Sequence, residues 1–276
     1  MHPIVRAEQI APGLSRLDVL APAVARRRQA GQFVIVRAHA DGERIPLTIV
    51  DASPDEGTIT LVVQAVGAST RLIAGLRAGD ALVDLAGPLG NPTPLLEHAR
   101  VACVGGGVGA AEVLPIARAL AARGNRVDTV LGARTRELVI LEAELAACSV
   151  SLVVTTDDGT YGRAGRVVDP LRERLADGSG WDAVYAVGPL PMMKAVAELT
   201  RPYGVRTIVS VNALMIDGTG MCGGCRLTVD GAVRFACVDG PEFDAHGVDF
   251  DELIRRGAAY RTQERMADHA CRGAQS

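Results

Sequence analysis

The segment between residues 217 and 237 contains four side chains of the kinds that bind metals. Asp217, Cys222, Cys225 and Cys237 are separated by four, two and eleven residues. With a fourth cysteine in place of the aspartate, this spacing is close to the plant-type ferredoxin pattern that holds a [2Fe–2S] cluster. Glycines between the ligands allow the loop to fold tightly around an inorganic core and to turn backbone N–H groups toward its sulfurs. The segment therefore predicts a [2Fe–2S] cluster with these four ligands, and a chain that transfers single electrons.

Two simpler interpretations of this segment stay open from the sequence. A cysteine pair separated by two residues is also typical of structural zinc sites, although these usually contain a second such pair, which this segment lacks. Asp217 can alternatively cap a turn while water or another group completes the site. The remaining cysteines are expected elsewhere: Cys103 and Cys148 as buried thiols, and Cys271 as a surface thiol in the polar C-terminal tail.

The composition excludes several classes of protein. The chain has 276 residues, of which 48% are hydrophobic and 3% aromatic, and its formal net charge is -3. This length is sufficient for two domains and a smaller segment. No basic face with interleaved aromatic residues indicates nucleic-acid binding, and no apolar stretch approaches the roughly 18 residues that span a membrane. The N-terminus lacks a signal-peptide pattern and unpaired cysteines suit a reducing compartment, so we expect a cytoplasmic protein without nucleic-acid or membrane partners.

Residues 1–97 have the pattern of a small β-domain. Apolar and β-branched residues fill runs at 32–37, 46–50 and 58–63, each bounded by Gly, Asp or Pro. Short strands at about ten-residue spacing predict an antiparallel β-barrel, with one short helix that begins at Ser69 or Thr70.

Residues 98–212 instead alternate between apolar strands and helices. This alternation predicts an α/β domain with a parallel sheet that helices cover on both faces. We expect strands at 101–104, 127–131, 151–155, 183–187 and 207–211, and helices at 110–122, 137–147 and 192–199. Residues 213–276 form the third segment, with the cluster loop, a hairpin that turns at Asp230 and Gly231, and a terminal helix near residue 249.

A glycine-rich turn follows the first strand of the middle segment and opens a helix. It has the form G-x-G-x-x-A, so the pyrophosphate of a dinucleotide can bind at the helix N-terminus; packing alone is the other reason for glycines at such a turn. The next strand ends at Arg134 without the carboxylate that binds the ribose in standard NAD dehydrogenases, and Arg134 can pair with a 2′-phosphate or be solvated. The predicted nucleotide-binding residues are Gly105, Gly106, Gly107, Val108, Gly109 and Arg134, together with Gly188, Pro189 and Met192 after a later strand.

In this order, the three segments resemble the ferredoxin reductase-like flavoproteins. The narrower similarity is to the electron-transfer subunits of the dihydroorotate dehydrogenase B group, which includes the small subunits of NADH-dependent reduced ferredoxin:NADP oxidoreductase and sulfide dehydrogenase. Residues 87–90, 105–109, 156–162 and 188–189 carry the resemblance, which covers essentially the whole chain. Asp217, with residues 235–243, points to the transhydrogenase and sulfide dehydrogenase branch, because the dihydroorotate branch normally has cysteine as the first ligand.

The resemblance implies that the β-domain holds FAD. The family's flavin-binding stretch falls on residues 45–48, where Ile45 takes the usual place of arginine and Arg44 lies one position earlier. Thr48 would place its hydroxyl near flavin N5, as the one catalytic side chain. The expected FAD contacts are Arg44, Pro46, Leu47, Thr48, Gln64, Gly67, Ser69 and Thr70, of which the last two have helix N-capping as their alternative role. The resemblance also adds Asp158 to the cofactor-binding residues.

The resemblance further implies that NAD(H), with NADP(H) as an alternative, exchanges electrons with FAD and a [2Fe–2S] cluster. A larger flavoprotein or iron–sulfur oxidoreductase subunit would be the partner, and ferredoxin would be reached through that subunit. Three alternatives stay open: the electron-transfer subunit of dihydroorotate dehydrogenase B, a stand-alone NAD(P)H reductase, and a zinc-stabilised nucleotide-binding module without redox activity.

Overall fold

The first part of the chain folds into two antiparallel sheets around one apolar core. The computed structural model describes residues 1–178, 180–260, 262–264 and 266. The elements here are β1 His2–Ala11, β2 Leu14–Leu20, α1 Pro22–Ala25, β3 Phe33–Arg37, β4 Ile45–Thr48, β5 Asp51–Ser53, β6 Thr58–Gln64, α2 Ala68–Ala74, β7 Ala81–Leu82 and β8 Asp84–Leu89. One sheet has the order β5-β6-β2-β1-β7 and the other the order β4-β3-β8. Leu17, Val34 and Leu61 meet in the shared core, which confirms the predicted antiparallel β-domain.

The middle of the chain supplies six strands of a mainly parallel sheet of seven. Its elements are β9 Arg100–Gly106, α3 Gly109–Ala122, β10 Arg126–Ala133, α4 Glu142–Ala146, β11 Ser151–Thr156, β12 Arg163–Ala164, α5 Val168–Ala176, β13 Ala183–Val187, α6 Leu190–Thr200 and β14 Arg206–Ser210. Residues 101–104 of β9 are fully buried and alternate between two apolar clusters, one on each face of the sheet. The strands are apolar along their whole length because helices cover both faces of the sheet, as the sequence predicts.

The strand order places a topological switch point beside β9. The chain runs from β9 to β10, β11 and β12 on one side, and then returns to β13 and β14 on the other side. In open α/β sheets, ligands bind outside the carboxyl ends of the strands at such a point. The glycine turn after β9 lies at this position.

Two elements of the middle segment differ from the expectation. Instead of one helix over 137–147, a single 3-10 turn at Arg136–Leu138 precedes a short α4, because Leu141 adopts a left-handed conformation (φ 57°) between them. Helix α5 was not predicted: only Leu171 and Leu175 are buried among charged residues, so its apolar pattern is weak. Cys103 is buried as predicted, Cys148 is half-buried at the end of α4, and Cys271 lies outside the described residues.

The third segment is joined to the middle sheet rather than standing apart. After the cluster loop it forms β15 Arg226–Val229, β16 Ala232–Phe235, β17 Glu242–Asp244 and α7 Phe250–Gly257. Asp230 (φ 50°) and Gly231 (φ 74°) make the predicted two-residue turn between β15 and β16. Strand β17, which was not predicted, pairs antiparallel with β14 and completes the sheet order β12-β11-β10-β9-β13-β14-β17.

Helix α7 closes the described structure and packs within the chain. Asp249 Oδ1 caps it by accepting a hydrogen bond from the Glu252 N–H at 2.8 Å. Phe250 and Leu253 are buried in the core shared with the sheet, so the apolar side of the helix packs within the chain. Across the described ranges, none of the helices is long and apolar enough to cross a membrane.

Candidate functional site

The glycine turn between β9 and α3 brings backbone to the mouth of a cleft. Gly107 has a left-handed backbone (φ 58°), and its N–H donates to the Gly132 carbonyl at 2.8 Å. A left-handed residue at this point directs the chain from the strand into the helix, which glycine does without strain. The N-terminus of the 14-residue α3 therefore opens toward the carboxyl edge of the sheet.

Packing also requires glycine at two positions of this turn. A Cβ at Gly109 would lie 2.2 Å from the Val187 carbonyl oxygen, and one at Gly106 would lie 2.3 Å from Met192 Sδ. Helix α3 thus approaches β13 closely only because these side chains are absent. The sequence offered two reasons for these glycines, namely packing and access for a ligand. Both reasons apply to this turn.

A cleft of about 800 Å³ lies above the turn. It brings together nine of the residues predicted to bind cofactors: Gln64, Gly106, Gly107, Val108, Gly109, Arg134, Gly188, Pro189 and Met192. Gly105 lies buried beneath the cleft. Sequence reasoning missed further polar residues of the lining, namely Glu112, Asp157, Arg166, Ser210 and Asn212.

A carboxylate does stand beside Arg134, although β10 itself ends without one. The parallel register pairs Ala133 with Thr156, so the residues that follow, Arg134 and Asp157, leave neighbouring strands together and both line the cleft. Asp158, the predicted residue, instead accepts hydrogen bonds from the Thr160 N–H and hydroxyl within its own loop. These bonds lower the pKa of Asp158, and its side chain stays exposed.

The predicted flavin stretch forms β4 and ends next to the cleft. Pro46, Leu47 and Thr48 are half-buried, whereas Arg44 precedes the strand and is exposed. The Thr48 hydroxyl faces the carboxyl of Glu112, a cleft residue in the first turn of α3. Thr48 therefore lies beside a cleft residue, and Leu14 and Gln64 are the β-domain residues that line the cleft itself.

The second flavin stretch forms the start of α2, where capping interactions are present. Thr70 Oγ1 accepts hydrogen bonds from the Gly67 N–H at 2.9 Å and the Val66 N–H at 3.1 Å. The Ser69 hydroxyl donates to the Glu43 carboxylate. Both hydroxyls thus have structural partners within the β-domain, and these residues do not line the cleft.

The cluster loop, residues 211–225, turns around three glycines and lies against the β-domain. Gly218, Gly220 and Gly223 have left-handed backbones with φ of 73°, 83° and 67°. A Cβ at Gly218 would lie 2.7 Å from the Leu89 side chain and 2.9 Å from that of Ile35. The loop that carries the predicted metal ligands is therefore pressed onto β8 and β3, the sheet that also contains β4.

Three of the predicted ligands lie in this loop, and the fourth, Cys237, follows β16 and lies beside Cys225. Cys225 Sγ and Cys237 Sγ are buried and 3.2 Å apart, and the Cys237 N–H donates to Cys225 Sγ at 3.5 Å. Cys222 is exposed, and its Sγ accepts a hydrogen bond from the Gly224 N–H at 3.4 Å. Asp217 accepts hydrogen bonds from the Thr219 N–H at 2.9 Å and the Cys222 N–H at 2.8 Å.

The electrostatics of the loop keep its carboxylate ionised and its buried thiol neutral. Backbone donors, first the Thr219 N–H, lower the pKa of Asp217 and keep it ionised. Burial, together with the adjacent Cys225 thiol, raises the pKa of Cys237 to about 12. Thiols in such a site lose their protons when a metal supplies positive charge.

The donor set fits an iron–sulfur cluster in its chemistry, because thiols are the ligands that such clusters use. Backbone N–H groups already point at two of the sulfurs, as in iron–sulfur sites. Within the described ranges, no three His, Cys, Asp or Glu side chains are gathered closely enough to hold one metal ion. The loop and the residue after β16 thus supply one exposed thiol, two buried thiols and one carboxylate.

The sequence matches two family models in the segments that form these sites. Residues 212–249 match the iron–sulfur cluster binding domain of dihydroorotate dehydrogenase B. Residues 103–198 match the oxidoreductase NAD-binding domain. The first match covers the cluster loop and the hairpin, and the second covers the glycine turn and most of the cleft.

Relatives match over nearly the whole chain. A dihydroorotate dehydrogenase B (NAD(+)) electron transfer subunit homolog of Thermotoga maritima is 45% identical over 267 residues, which is 97% of this chain and 94% of the relative. The dihydroorotate dehydrogenase B (NAD(+)) electron transfer subunit of Geobacillus kaustophilus is 38% identical over 229 residues, covering 79% and 86%. A chain in the solved structure of an NADH-dependent reduced ferredoxin-NADP oxidoreductase superposes with a TM-score of 0.91 at 42% identity, covering 97% of this chain and 96% of the other. The resemblance found in the sequence is thereby confirmed, and the chain belongs to the ferredoxin reductase-like family of dihydroorotate dehydrogenase B-type electron-transfer subunits.

Proposed function

We propose that this chain is an electron-transfer subunit that passes electrons between NAD(H), FAD and a [2Fe–2S] cluster, to or from a partner oxidoreductase subunit. One observation carries the proposal: the β-domain is in contact with both other sites. Its residues Leu14 and Gln64 line the nucleotide cleft, and its strands β3 and β8 support the cluster loop at Gly218. A flavin bound there would stand between a hydride donor and a one-electron acceptor.

The proposal assigns the described residues to three sites. The dinucleotide takes the cleft and its glycine turn, with Gly105, Gly106, Gly107, Val108, Gly109, Arg134, Asp158, Gly188, Pro189 and Met192. FAD takes the β-domain, with Arg44, Pro46, Leu47, Thr48, Gln64, Gly67, Ser69 and Thr70. The cluster takes Asp217, Cys222, Cys225 and Cys237. Domain limits at 97/98 and 212/213 are part of this proposal.

The cofactors would supply the redox chemistry, because a flavin accepts hydride and can release electrons singly. The chain's own residues bind, orient and shield. The α3 N-terminus offers N–H groups to phosphate, and Thr48 offers a hydroxyl at the flavin N5 position. The N–H groups of Gly224 and Cys237 stabilise charge on the ligand sulfurs.

A partner surface surrounds the exposed ligand Cys222. Leu214, Ile216, Met221 and Val238 are exposed apolar side chains. Ile216 and the Leu214 carbonyl lie near Gly224, and Val238 lies against Gly220, so these side chains form one patch around the loop. Exposed apolar residues that rim a redox site are typical of a docking surface. We name Leu214, Ile216, Met221 and Val238 the cluster patch.

The branch of the family follows from the first ligand. Asp217 favours a function like that of the small subunit of NADH-dependent ferredoxin:NADP oxidoreductase or sulfide dehydrogenase. The relatives from Thermotoga maritima and Geobacillus kaustophilus support the alternative, the electron-transfer subunit of dihydroorotate dehydrogenase B. A cytoplasmic location is proposed because the described cysteines are free thiols, including Cys225 and Cys237, which almost touch.

An anaerobic visible and EPR spectrum, before and after addition of NADH, tests the function. We expect flavin bands that bleach with NADH, together with the rhombic signal of a reduced [2Fe–2S] centre. A colourless chain that contains zinc would refute the proposal in favour of a nucleotide-binding module. Flavin bleaching without reduction of the cluster would refute electron transfer from the flavin to the cluster.

A further inference from the structure

A second cavity, of about 480 Å³, lies where the β-domain, the connection between β8 and β9, and helix α3 meet. Arg28 lines it from the β-domain, Leu95 from the connection, and Pro115, Arg118 and Arg123 from α3 and its C-terminal cap. Its size is that of a site for a small molecule. None of its described lining residues lines the nucleotide cleft, so the proposed function gives this cavity no role.

The charged side chains that line the cavity are all positive. Three of them are arginines, namely Arg28, Arg118 and Arg123, and none of the described lining residues is acidic. The whole chain, in contrast, has a formal net charge of -3. Positive side chains gathered in a concave site concentrate anions there.

A carboxylate outside the lining holds two of these arginines next to each other. Asp51 Oδ1 accepts a hydrogen bond from Arg28 Nη2 at 3.3 Å, and Asp51 Oδ2 accepts one from Arg118 Nη1 at 2.6 Å. The Ala52 N–H also donates to Asp51 Oδ1, at 2.9 Å, so both carboxylate oxygens are engaged. Since a guanidinium has five N–H donors, Arg28 and Arg118 keep donors for a ligand.

Arg123 brings the third guanidinium to the cavity. In the described part of the chain its hydrogen bond goes from Nη1 to the Leu95 carbonyl, a neutral group, at 3.4 Å. Asp51 thus offsets one of the three positive charges. Arg123 also lies at the C-cap of α3, where a cation interacts favourably with the helix dipole. A test of the cavity must therefore separate ligand binding from this role in the helix.

Arg28 is the arginine that folding buries most. It ends a run of three arginines, of which Arg26 and Arg27 are exposed, whereas the Arg28 side chain is 20% exposed. Burial lowers the pKa of Arg28, and the charge of Arg118 adds to this effect while Asp51 opposes it. An anion in the cavity would stabilise these two neighbouring cations.

Glu242, behind the wall of the cavity, does not replace such an anion. Its Oε1 accepts a hydrogen bond from Oγ1 of the lining residue Thr93 at 2.8 Å, and its Oε2 is buried without a hydrogen-bond partner among the described residues. Burial raises the pKa of Glu242 to about 7, and the bond from Thr93 partly offsets this effect. Below pH 7 the carboxyl is therefore mostly protonated and adds little negative charge.

We propose that this cavity binds the phosphate group of a small molecule between Arg28, Arg118 and Arg123. The guanidinium fork matches phosphate in geometry and charge. A phosphate ester offers three terminal oxygens to the three guanidiniums, whereas a carboxylate offers two.

The rest of the cavity wall favours an ester over the free ion. Leu95, Pro115 and Ala119 line it, and they give the body of an ester an apolar surface to pack on. The proposal concerns a site apart from the nucleotide cleft and does not depend on the proposed function.

Isothermal titration calorimetry of the purified chain with its cofactors tests the site with two probes, inorganic phosphate and phenyl phosphate. NaCl keeps the ionic strength constant, because salt screens exposed charges, and excess NAD⁺ occupies the cleft. We expect saturable binding of both probes, with phenyl phosphate the tighter. No binding of either probe would overturn the proposal, and equal affinities would overturn the role of the apolar wall. Citrate that binds as tightly as phenyl phosphate would overturn the preference for phosphate.

Substitutions locate the bound phosphate. Arg123→Gln should weaken the binding of both probes by about tenfold, because it removes a charged donor. Arg26→Gln, which changes an exposed arginine outside the lining, is the matched control and should bind as wild type does. If Arg123 only caps α3, Arg123→Gln will unfold at a lower temperature and still bind phosphate normally, which would overturn the site. A loss of binding that Arg26→Gln shares would overturn it as well.

Discussion

Asp217 has the turn-forming role that the sequence offered as one alternative, and this role is compatible with the proposed ligation. Its carboxylate accepts hydrogen bonds from the N–H groups of Thr219 and Cys222, so it shapes the turn that leads to the next ligand. The same bonds keep it ionised, as a metal ligand must be. Turn formation therefore supports ligation, because it presents the charged group toward the cysteines.

Substitutions at Asp217 separate turn formation from ligation. Asp217→Cys is expected to keep the cluster and lower its reduction potential, because thiolate donates more electron density to iron than carboxylate. Asp217→Asn keeps a side-chain oxygen for the turn but no charge, so the cluster should be lost or labile. EPR-monitored redox titration and iron analysis measure both effects. A stable cluster with unchanged potential in both variants would show that Asp217 is only a turn residue.

The buried carboxyl of Glu242 should make the stability of the folded chain fall as the pH rises. Its pKa is raised from 4.5 to about 7 in the folded chain, so the folded state binds more protons than the unfolded state between these values. The stability that the neutral carboxyl contributes is complete below about pH 4.5 and is lost as the pH rises through about 7. Glu242→Gln mimics the neutral form and should lose none of it, so the variant should gain up to about 3 kcal/mol on wild type from pH 5 to pH 8. Equal pH profiles in thermal unfolding of the two proteins would contradict this.

Helix α3 is the element that connects all parts of the nucleotide site. Its first turn lines the cleft with Glu112, and its apolar face packs on β9, β10 and β13. The close approach to β13 at Gly109 fixes where the N-terminus points. A small displacement of this helix would therefore change the shape of the cleft.

Gly109→Ala tests this dependence. The new Cβ would meet backbone, the Val187 carbonyl oxygen at 2.2 Å, so α3 must move rather than a side chain. We expect about 1–3 kcal/mol of destabilisation and at least tenfold weaker nucleotide binding. Gly180→Ala is the matched control, because its nearest atom would be at 3.8 Å. Chemical denaturation and NADH titration measure the two effects, and identical behaviour of the variants would show that the contact is not limiting.

The sequence predicted best those strands whose residues are buried along their whole length. The apolar runs of β9 and β13 and the turn at Asp230 and Gly231 depend on local residues, so their patterns identified them. Strand β17 has only three residues and exists because β14 offers it an edge. Such an element depends on tertiary pairing, and no local pattern of its own reveals it.

Across the whole molecule, the sites lie on separate segments but share one β-domain. The nucleotide cleft and the cluster loop were predictable because each consists of neighbouring residues with a chemical signature. Glu112, Asp157 and Glu242 were missed because their surroundings arise from contacts between segments distant in sequence. An acidic residue in the first turn of the helix that follows the glycine turn, as at Glu112, was the one signal available.

The cluster patch predicts how the chain meets its partner. Met221 is 88% exposed beside Cys222, so Met221→Lys should leave the fold and both cofactors intact. A charge at the centre of a docking surface should weaken association by at least tenfold, or about 1.4 kcal/mol. Val150→Lys, at an exposed apolar position before β11, is the control. Co-purification with the co-expressed partner measures the effect, and equal recovery of both variants would place the partner elsewhere.

Strand β17 also affects the tendency of a chain without its cluster to aggregate. It covers the outer edge of β14, with backbone bonds from Val211 N–H to the Pro241 carbonyl and from Ala245 N–H to the Thr207 carbonyl. An uncovered edge of a buried parallel strand is a template for pairing with other chains. If the empty cysteine loop loosens the segment that holds β17, the β14 edge is released to solvent. Iron supply during biosynthesis would then govern aggregation as well as redox activity, since chains that mature without iron would be the ones that self-associate.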